Sequence, residues 1–117
     1  MTRLETGKIG EDIAVEFLRS SGYKIVERNY RCSLGEIDII AFDKNVLVFI
    51  EVRTRNRSSF CPPQETVNYS KQKKLQKLSL YFLSSNNIKN LDYRFDVVAI
   101  DLSKGKRGIE LFKNAFW

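Results

Sequence analysis

Histidine is absent from the 117 residues, and that excludes much familiar chemistry. No Ser-His or Cys-His nucleophile pair can form, no His-ligated zinc or haem, and no imidazole acid or base. Catalysis would have to use carboxylates, Lys, Arg, Tyr, hydroxyls or a hard metal ion held by oxygen. Cysteine is nearly absent too: Cys32 and Cys61 cannot build a four-thiolate zinc site or a disulfide scaffold. Two reduced thiols in a cytosolic protein are expected, with a single bridge as the alternative. Long hydrophobic runs are also missing. The longest purely apolar stretch is Val46-Leu47-Val48-Phe49-Ile50, far short of a membrane span. The N-terminal region carries Glu5, Glu11 and Asp12 and no apolar signal core, so no export is expected and a cytoplasmic location is.

What is present describes an ordinary globular chain. Apolar residues make up 43% and charged residues 29%, which rules out disordered and collagen-like classes. The length suits one domain over residues 1–117, with roughly two-thirds of the unfolded surface buried on folding. Net charge is +6, and its distribution says more than its size. Residues 53–77 hold Arg53, Arg55, Arg57, Lys71, Lys73, Lys74 and Lys77 against Glu65 alone, so they carry the whole excess. Such a polar axis suits a polyanion; a loop followed by a solvated Lys-rich helix face would look the same. Membrane-surface binding fits less well, because the segment is not one amphipathic helix with bulky anchors.

Thr2-Arg3-Leu4-Glu5 reads as a capping box opening a helix to about Ser20 or Ser21, stopped by Gly22. Strands are expected over 23–30, 36–43 and 46–53, with a turn at Leu34-Gly35 and a hairpin at Lys44-Asn45. A loop holding Pro62-Pro63 spans Arg55 to Gln64, and a second helix runs from about Ser70 to Ser85. Arg94–Leu102 forms a fourth strand, Ser103–Gly108 a basic turn and Ile109–Phe112 a short last strand. The order predicts a mixed sheet with antiparallel hairpin strands and flanking helices, in the α/β or α+β class.

A two-residue turn at Lys44-Asn45 pairs positions whose numbers sum to 89, which sets Asp38 opposite Glu51 and Glu36 opposite Arg53. Directly opposed carboxylates repel by up to about 1 kcal/mol in an exposed sheet, and by more when buried. A shared proton, a cationic side chain or a metal must offset that. Oxygen donors on rigid strands favour Mg²⁺ or Mn²⁺; a surface salt bridge with Arg53 or a lysine is the alternative. In the first helix Leu4, Gly7, Glu11, Ala14 and Leu18 recur at three and four residues, which places Glu11 on an apolar stripe. Gly7 is expected to allow close approach, while Asp12 and Glu16 face solvent. In the second helix Lys71 lines up with Leu75, Leu78 and Phe82, so it could reach the acids or a bound phosphate. Lys73, Lys74 and Lys77 lie off that line and suit backbone phosphates or water. Tyr69, Tyr81 and Tyr93 are expected to pack.

Several motifs together resemble the YraN-like family of small bacterial proteins. They are Gly7-x3-Glu11, Gly35-Glu36-Ile37-Asp38, Val48-Phe49-Ile50-Glu51-Val52-Arg53-x-Arg55, Val67-x3-Lys71, Arg94-Phe95-Asp96-Val97-Val98 and Asn114-Ala115-Phe116, and they span essentially the whole chain. That family is similar to PD-(D/E)xK nucleases and to archaeal Holliday-junction resolvases. The resemblance implies a restriction-endonuclease-like fold and metal-dependent hydrolysis of DNA, with structured or branched DNA as the expected substrate. Asp38 and Glu51, with the Val52 carbonyl, then match the metal site, Glu11 the helix acid, and Glu36 an accessory acid. Arg53 takes the position usually held by the active-site lysine. Arg55, Arg57, Lys71, Lys73, Lys74 and Lys77 would contact nucleic acid, and a homodimer is a further expectation. Arginine departs from the motif: it keeps the charge but is effectively never deprotonated. A nucleic-acid-binding module that keeps the fold without turnover is therefore the alternative.

Overall fold

The computed structural model describes residues 2–55, 68–102 and 108–116, with Arg3 described by its backbone alone. Helix α1 (Arg3–Ser20) leads into strands β1 (Lys24–Cys32), β2 (Gly35–Asp43) and β3 (Val46–Arg55). Helix α2 (Tyr69–Ser85), β4 (Tyr93–Asp101) and β5 (Gly108–Phe116) follow. One sheet contains all five strands in the order β1-β2-β3-β4-β5. Neighbours pair antiparallel except β3 and β4, which run parallel from Leu47↔Tyr93 to Arg55↔Asp101. The fold is a mixed α+β sheet with two flanking helices, compatible with the restriction-endonuclease-like class. Most of the Pro62-Pro63 loop and of the basic turn at 103–108 lies outside the described residues, as do Arg57, Cys61 and Val67.

Local chemistry explains the ends of α1. The Thr2 hydroxyl accepts from the Glu5 N–H at 3.1 Å, and the Glu5 carboxylate accepts from the Thr2 N–H at 3.0 Å. This reciprocal cap satisfies two orphan donors. After the last turn Gly22 adopts φ +93°, a left-handed conformation that favours glycine. The apolar stripe differs from the expected one. Leu4 is 87% exposed, and the buried positions are Gly10, Ala14, Val15 and Leu18. Gly7 has open space around it, whereas a side chain at Gly10 would overlap Thr54 of β3. Close approach therefore belongs to Gly10, one turn further along the helix than expected.

Each face of the sheet carries its own core. On one, Ala14, Val15 and Leu18 of α1 meet Ile39, Ala41, Val48, Ile50, Val98 and Ile100. On the other, Leu75, Leu78 and Phe82 of α2 meet Ile37, Ile40, Leu47, Phe49, Phe95 and Val97. Fully burying one such side chain contributes about 1.5–3 kcal/mol. Phe49 anchors the α2 side, with the rings of Phe95, Tyr93 and Phe82 at 5.7, 5.9 and 6.0 Å.

Two irregularities shape the edges. In β1 the register shifts between Ile25 and Glu27, and Asn29 takes φ +53° inside the strand. In β5 the register shifts opposite Asp96, and Asn114 takes φ +52°. This bulge lets β5 continue to Phe116 instead of stopping at Phe112, and it turns the Asn114 N–H onto the Asp96 carboxylate at 2.9 Å. Asp96 is 0% exposed and also accepts from the Tyr23 hydroxyl at 2.9 Å and from Arg94 Nε at 2.9 Å. Arg94 in turn reaches Asp43 at 2.7 Å. Burial, then Asp96, pushes the Tyr23 phenol up. Hydrogen bonding from Arg94 holds Asp43 below its ordinary value. No helix among the described residues is long and apolar enough to cross a membrane.

Candidate active site

The β2–β3 hairpin has the expected register, with Asp43↔Val46 and Ile39↔Ile50 both paired. Its ladder ends at Ile39↔Ile50, one step before the two acids. There the strands part, and Asp38 bends across the gap to accept the Val52 N–H through Oδ2 at 2.8 Å. Glu51 stays on the α2 side and is 7% exposed. Its Oε1 accepts from Lys71 Nζ at 2.7 Å, and Arg53 Nε lies at 3.8 Å. The cap of α2 sets this up: the Asn68 side chain accepts from the Lys71 N–H at 2.8 Å, which fixes the first turn with Lys71 over the sheet.

Glu36 does not face Arg53. Once the ladder has opened, Glu36 follows the β1–β2 pairing instead, opposite Arg31, and bonds it at 3.3 Å in an exposed position. The expected accessory acid thus belongs to the sheet edge, though its charge still acts on Asp38. Glu11 is well shielded, its side chain 14% exposed, and its Oε1 accepts from Arg28 Nη2 at 2.9 Å and Asn29 Nδ2 at 3.0 Å. Arg28 also holds Asp12 at 2.6 Å. These two β1 residues were not singled out from the sequence. An asparagine inside an otherwise strand-like run was the available sign, because it tolerates the left-handed turn that other residues resist.

Burial pushes the Asp38 carboxyl up to about 7, with the negative charge of Glu51 next in weight and those of Glu11 and Glu36 adding to it. The Val52 N–H pulls the other way. Three carboxylates thus act electrostatically on Asp38, while Lys71 and Arg53 stand beside Glu51. Among the described residues no three acids or thiols close into a ready-made metal cage. The donors at hand are hard oxygens, which match a divalent cation of the Mg²⁺ or Mn²⁺ type and relieve the repulsion on Asp38 if one is held there.

The basic residues divide. Lys71 belongs to the acid cluster. Arg55 is 3.8 Å from Asp101, an ion pair across the parallel strands. Lys73, Lys74 and Lys77 line an open depression of about 390 Å³ with Leu34 and Ser70, between α2 and the β1–β2 turn. The tyrosines expected to pack do so only in part. Tyr93 touches Phe49 and Phe95 edge-on yet is 41% exposed, Tyr81 is 46% exposed, and Tyr69 is 65% exposed. Tyr69 is the first residue of α2 and lies off the buried line of Leu75, Leu78 and Phe82, so helix periodicity leaves it outside the core.

Fold and cluster together define a small mixed α+β protein with a carboxylate pair and two cations where its central hairpin opens. Residues 10–100 match the profile of the uncharacterised protein family UPF0102, and the chain belongs to that family, which bears out the YraN-like resemblance. It is 49% identical to a UPF0102 protein of Moorella thermoacetica, over 99% of this chain and 98% of that one. It is likewise 49% identical to a UPF0102 protein of Thermodesulfovibrio yellowstonii over 100% of both chains. A UPF0102 protein of Syntrophus aciditrophicus is 45% identical over 97% of this chain and 89% of its own.

Proposed function

We propose that this protein is a metal-dependent nuclease that hydrolyses phosphodiester bonds in DNA, with structured or branched DNA as its substrate. The observation that carries the reading is the Asp38–Glu51 pair, two shielded acids beside one another where the hairpin ladder stops. An acid raised to about 7 by burial and neighbouring charge is a cost to folding, and such costs concentrate where they serve chemistry. Asp38, Glu51 and the Val52 carbonyl would hold Mg²⁺ or Mn²⁺, which supplies Lewis-acid charge to a phosphoryl oxygen and lowers the pKa of water. Lys71 and Arg53 supply positive charge for the transferring phosphate, and Arg53 offers a planar fork to two of its oxygens. Glu11 braces α1 against β1 and adds negative potential at Asp38.

A second reading has its own support. Lys71 already neutralises Glu51 at 2.7 Å, and Arg53 cannot give up a proton as a lysine can. Both fit a nucleic-acid-binding module that has the fold without turnover. The deciding experiment incubates linear, nicked and four-way DNA with the protein in Mg²⁺, Mn²⁺ or EDTA. Cleavage that needs the cation and is lost in Asp38→Ala supports the nuclease. Binding without cleavage, with cleavage gained in Arg53→Lys, supports the module.

A further inference from the structure

The outward side of α2 is built unlike a merely solvated helix. Its residues from Tyr69 to Ser85 include Lys71, Lys73, Lys74 and Lys77 and no acid. All four stand in the first half of the helix, where the macrodipole is positive and like charge is unfavourable. An anion resting there removes that conflict. At about 100° per residue, Lys71 points into the acid cluster, and Lys74, Lys77, Lys73 and Tyr69 follow in turn around the helix away from it. The Lys74 side chain lies over Gly35, so close that a Cβ there would meet its Cε at 2.9 Å. That closes one wall of the 390 Å³ depression. Beyond Lys73, outside the lining itself, stands Tyr69, 65% exposed, with Lys73 Nζ over one face of its ring at 4.8 Å from the centre.

Phosphate contacts alone need no aromatic. A large ring held in water beside a lysine suits a flat, π-faced ligand attached to a phosphate, and only unpaired nucleotides present their faces in that way. In a duplex both faces of every internal base are already stacked. We infer that the path from Tyr69 across Lys73, Lys77 and Lys74 to Lys71 is a single-strand track, on which Tyr69 stacks an unpaired base and the lysines hold its phosphates. The substrate of the proposed site is then nucleic acid with an unpaired segment next to the bond that is cut, and this inference rests on the nucleic-acid reading above.

The test measures binding of the full-length protein, in EDTA so that nothing is cleaved, to a labelled oligo-dT, a matched oligo-U and a blunt duplex. Tyr69→Ala should weaken binding to the unpaired strands roughly tenfold and change duplex binding by less than about twofold, with Tyr69→Phe retaining affinity. The salt slope should stay the same in Tyr69→Ala and flatten by about 2 in the Lys73, Lys74 and Lys77→Ala triple variant. A loss on either sugar supports the track, and the two single strands tell which sugar it prefers. Unchanged single-strand affinity in Tyr69→Ala, or an equal loss on the duplex, would overturn it while leaving the nuclease reading in place. Failure of the wild type to bind any oligonucleotide would overturn the nucleic-acid reading itself.

Discussion

Two aspartates in the sheet of this protein are shielded from water, and they are treated in opposite ways. Asp96 is met by a phenol, a guanidinium and a backbone N–H turned toward it by a bulge. Asp38 receives the Val52 N–H and is otherwise surrounded by the negative charge of Glu51, Glu11 and Glu36. The first carboxylate is completed by the fold and ties α1's end, β2, β4 and β5 together. The second is left in conflict by the fold, raised by burial and by the charge of its neighbours. The difference sets an acid satisfied by its surroundings against one that is not, and the second is the one the proposed site uses. A buried charge surrounded by donors is compatible with stability, and one surrounded by its own kind is a cost to folding.

The largest effect should come from breaking the completed acid. Asp96→Ala leaves Tyr23, Arg94 and the Asn114 N–H without their shared acceptor, and should cost about 3–5 kcal/mol in urea unfolding. A loss below about 1 kcal/mol would erase the contrast. Asp38→Asn should act in the other direction. Burial and the charge of Glu51 push the folded Asp38 carboxyl up to about 7, against near 4 in an unfolded chain, so the folded chain holds the extra proton between those values. Wild-type stability should then fall as pH rises from about 4 to about 7 and stay level above that. The amide removes this penalty: at pH 8 the variant should be more stable by up to about 4 kcal/mol, and below pH 4 the two urea midpoints should converge.

Three smaller changes sharpen the comparison, two on α1 and one beside Glu51. Gly10→Ala pushes α1 away from Thr54 and should destabilise by about 1–3 kcal/mol, less any gain in helix propensity. Gly7→Ala, into open space, should stabilise by about 0.5–1 kcal/mol, so thermal melts of the two variants should move apart. Lys71→Ala should have the smallest effect on the protein alone. Its side chain is 39% exposed, so the bridge to Glu51 contributes about 1 kcal/mol or less after solvent screening. Added Mg²⁺ should then raise the melting temperature of this variant more than that of the wild type, because the lysine no longer competes for Glu51. No response to Mg²⁺ in either protein would favour the binding module.

The Asp38 side of this contrast was partly legible in the sequence, and the rest was not, for identifiable reasons. Hairpin register follows from a two-residue turn, so the Asp43↔Val46 pairing could be counted off from Lys44-Asn45. Counting cannot say where a ladder ends, and the parting of β2 and β3 after Ile39↔Ile50 sent Glu36 to Arg31 rather than Arg53. The stripe on α2 placed Lys71 correctly because three large apolar residues defined its direction. On α1 the weak pattern let Leu4 and Gly7 stand in for the true contact. The four-residue spacing of Gly10, Ala14 and Leu18 carried the signal, but Gly7 falls at an equally regular spacing before Glu11 and Ala14, and spacing alone does not separate the two glycines. The Asp96 network was invisible because Tyr23, Asp43 and Asn114 come from elements far apart in the chain and meet Arg94 and Asp96 of β4 only through the sheet order.

The irregular first strand has a consequence for assembly. β1 is an outer strand, and Lys24, Glu27, Arg28 and Arg31 line it with mixed charge. Its register slip and the left-handed Asn29 interrupt the straight row of backbone donors and acceptors that a foreign strand would need as a template. Another chain therefore finds no flat margin to extend, and the molecule is guarded against edge-to-edge polymerisation on that side. A pair of these proteins that formed in solution would be joined by side chains, not by a shared sheet running through β1.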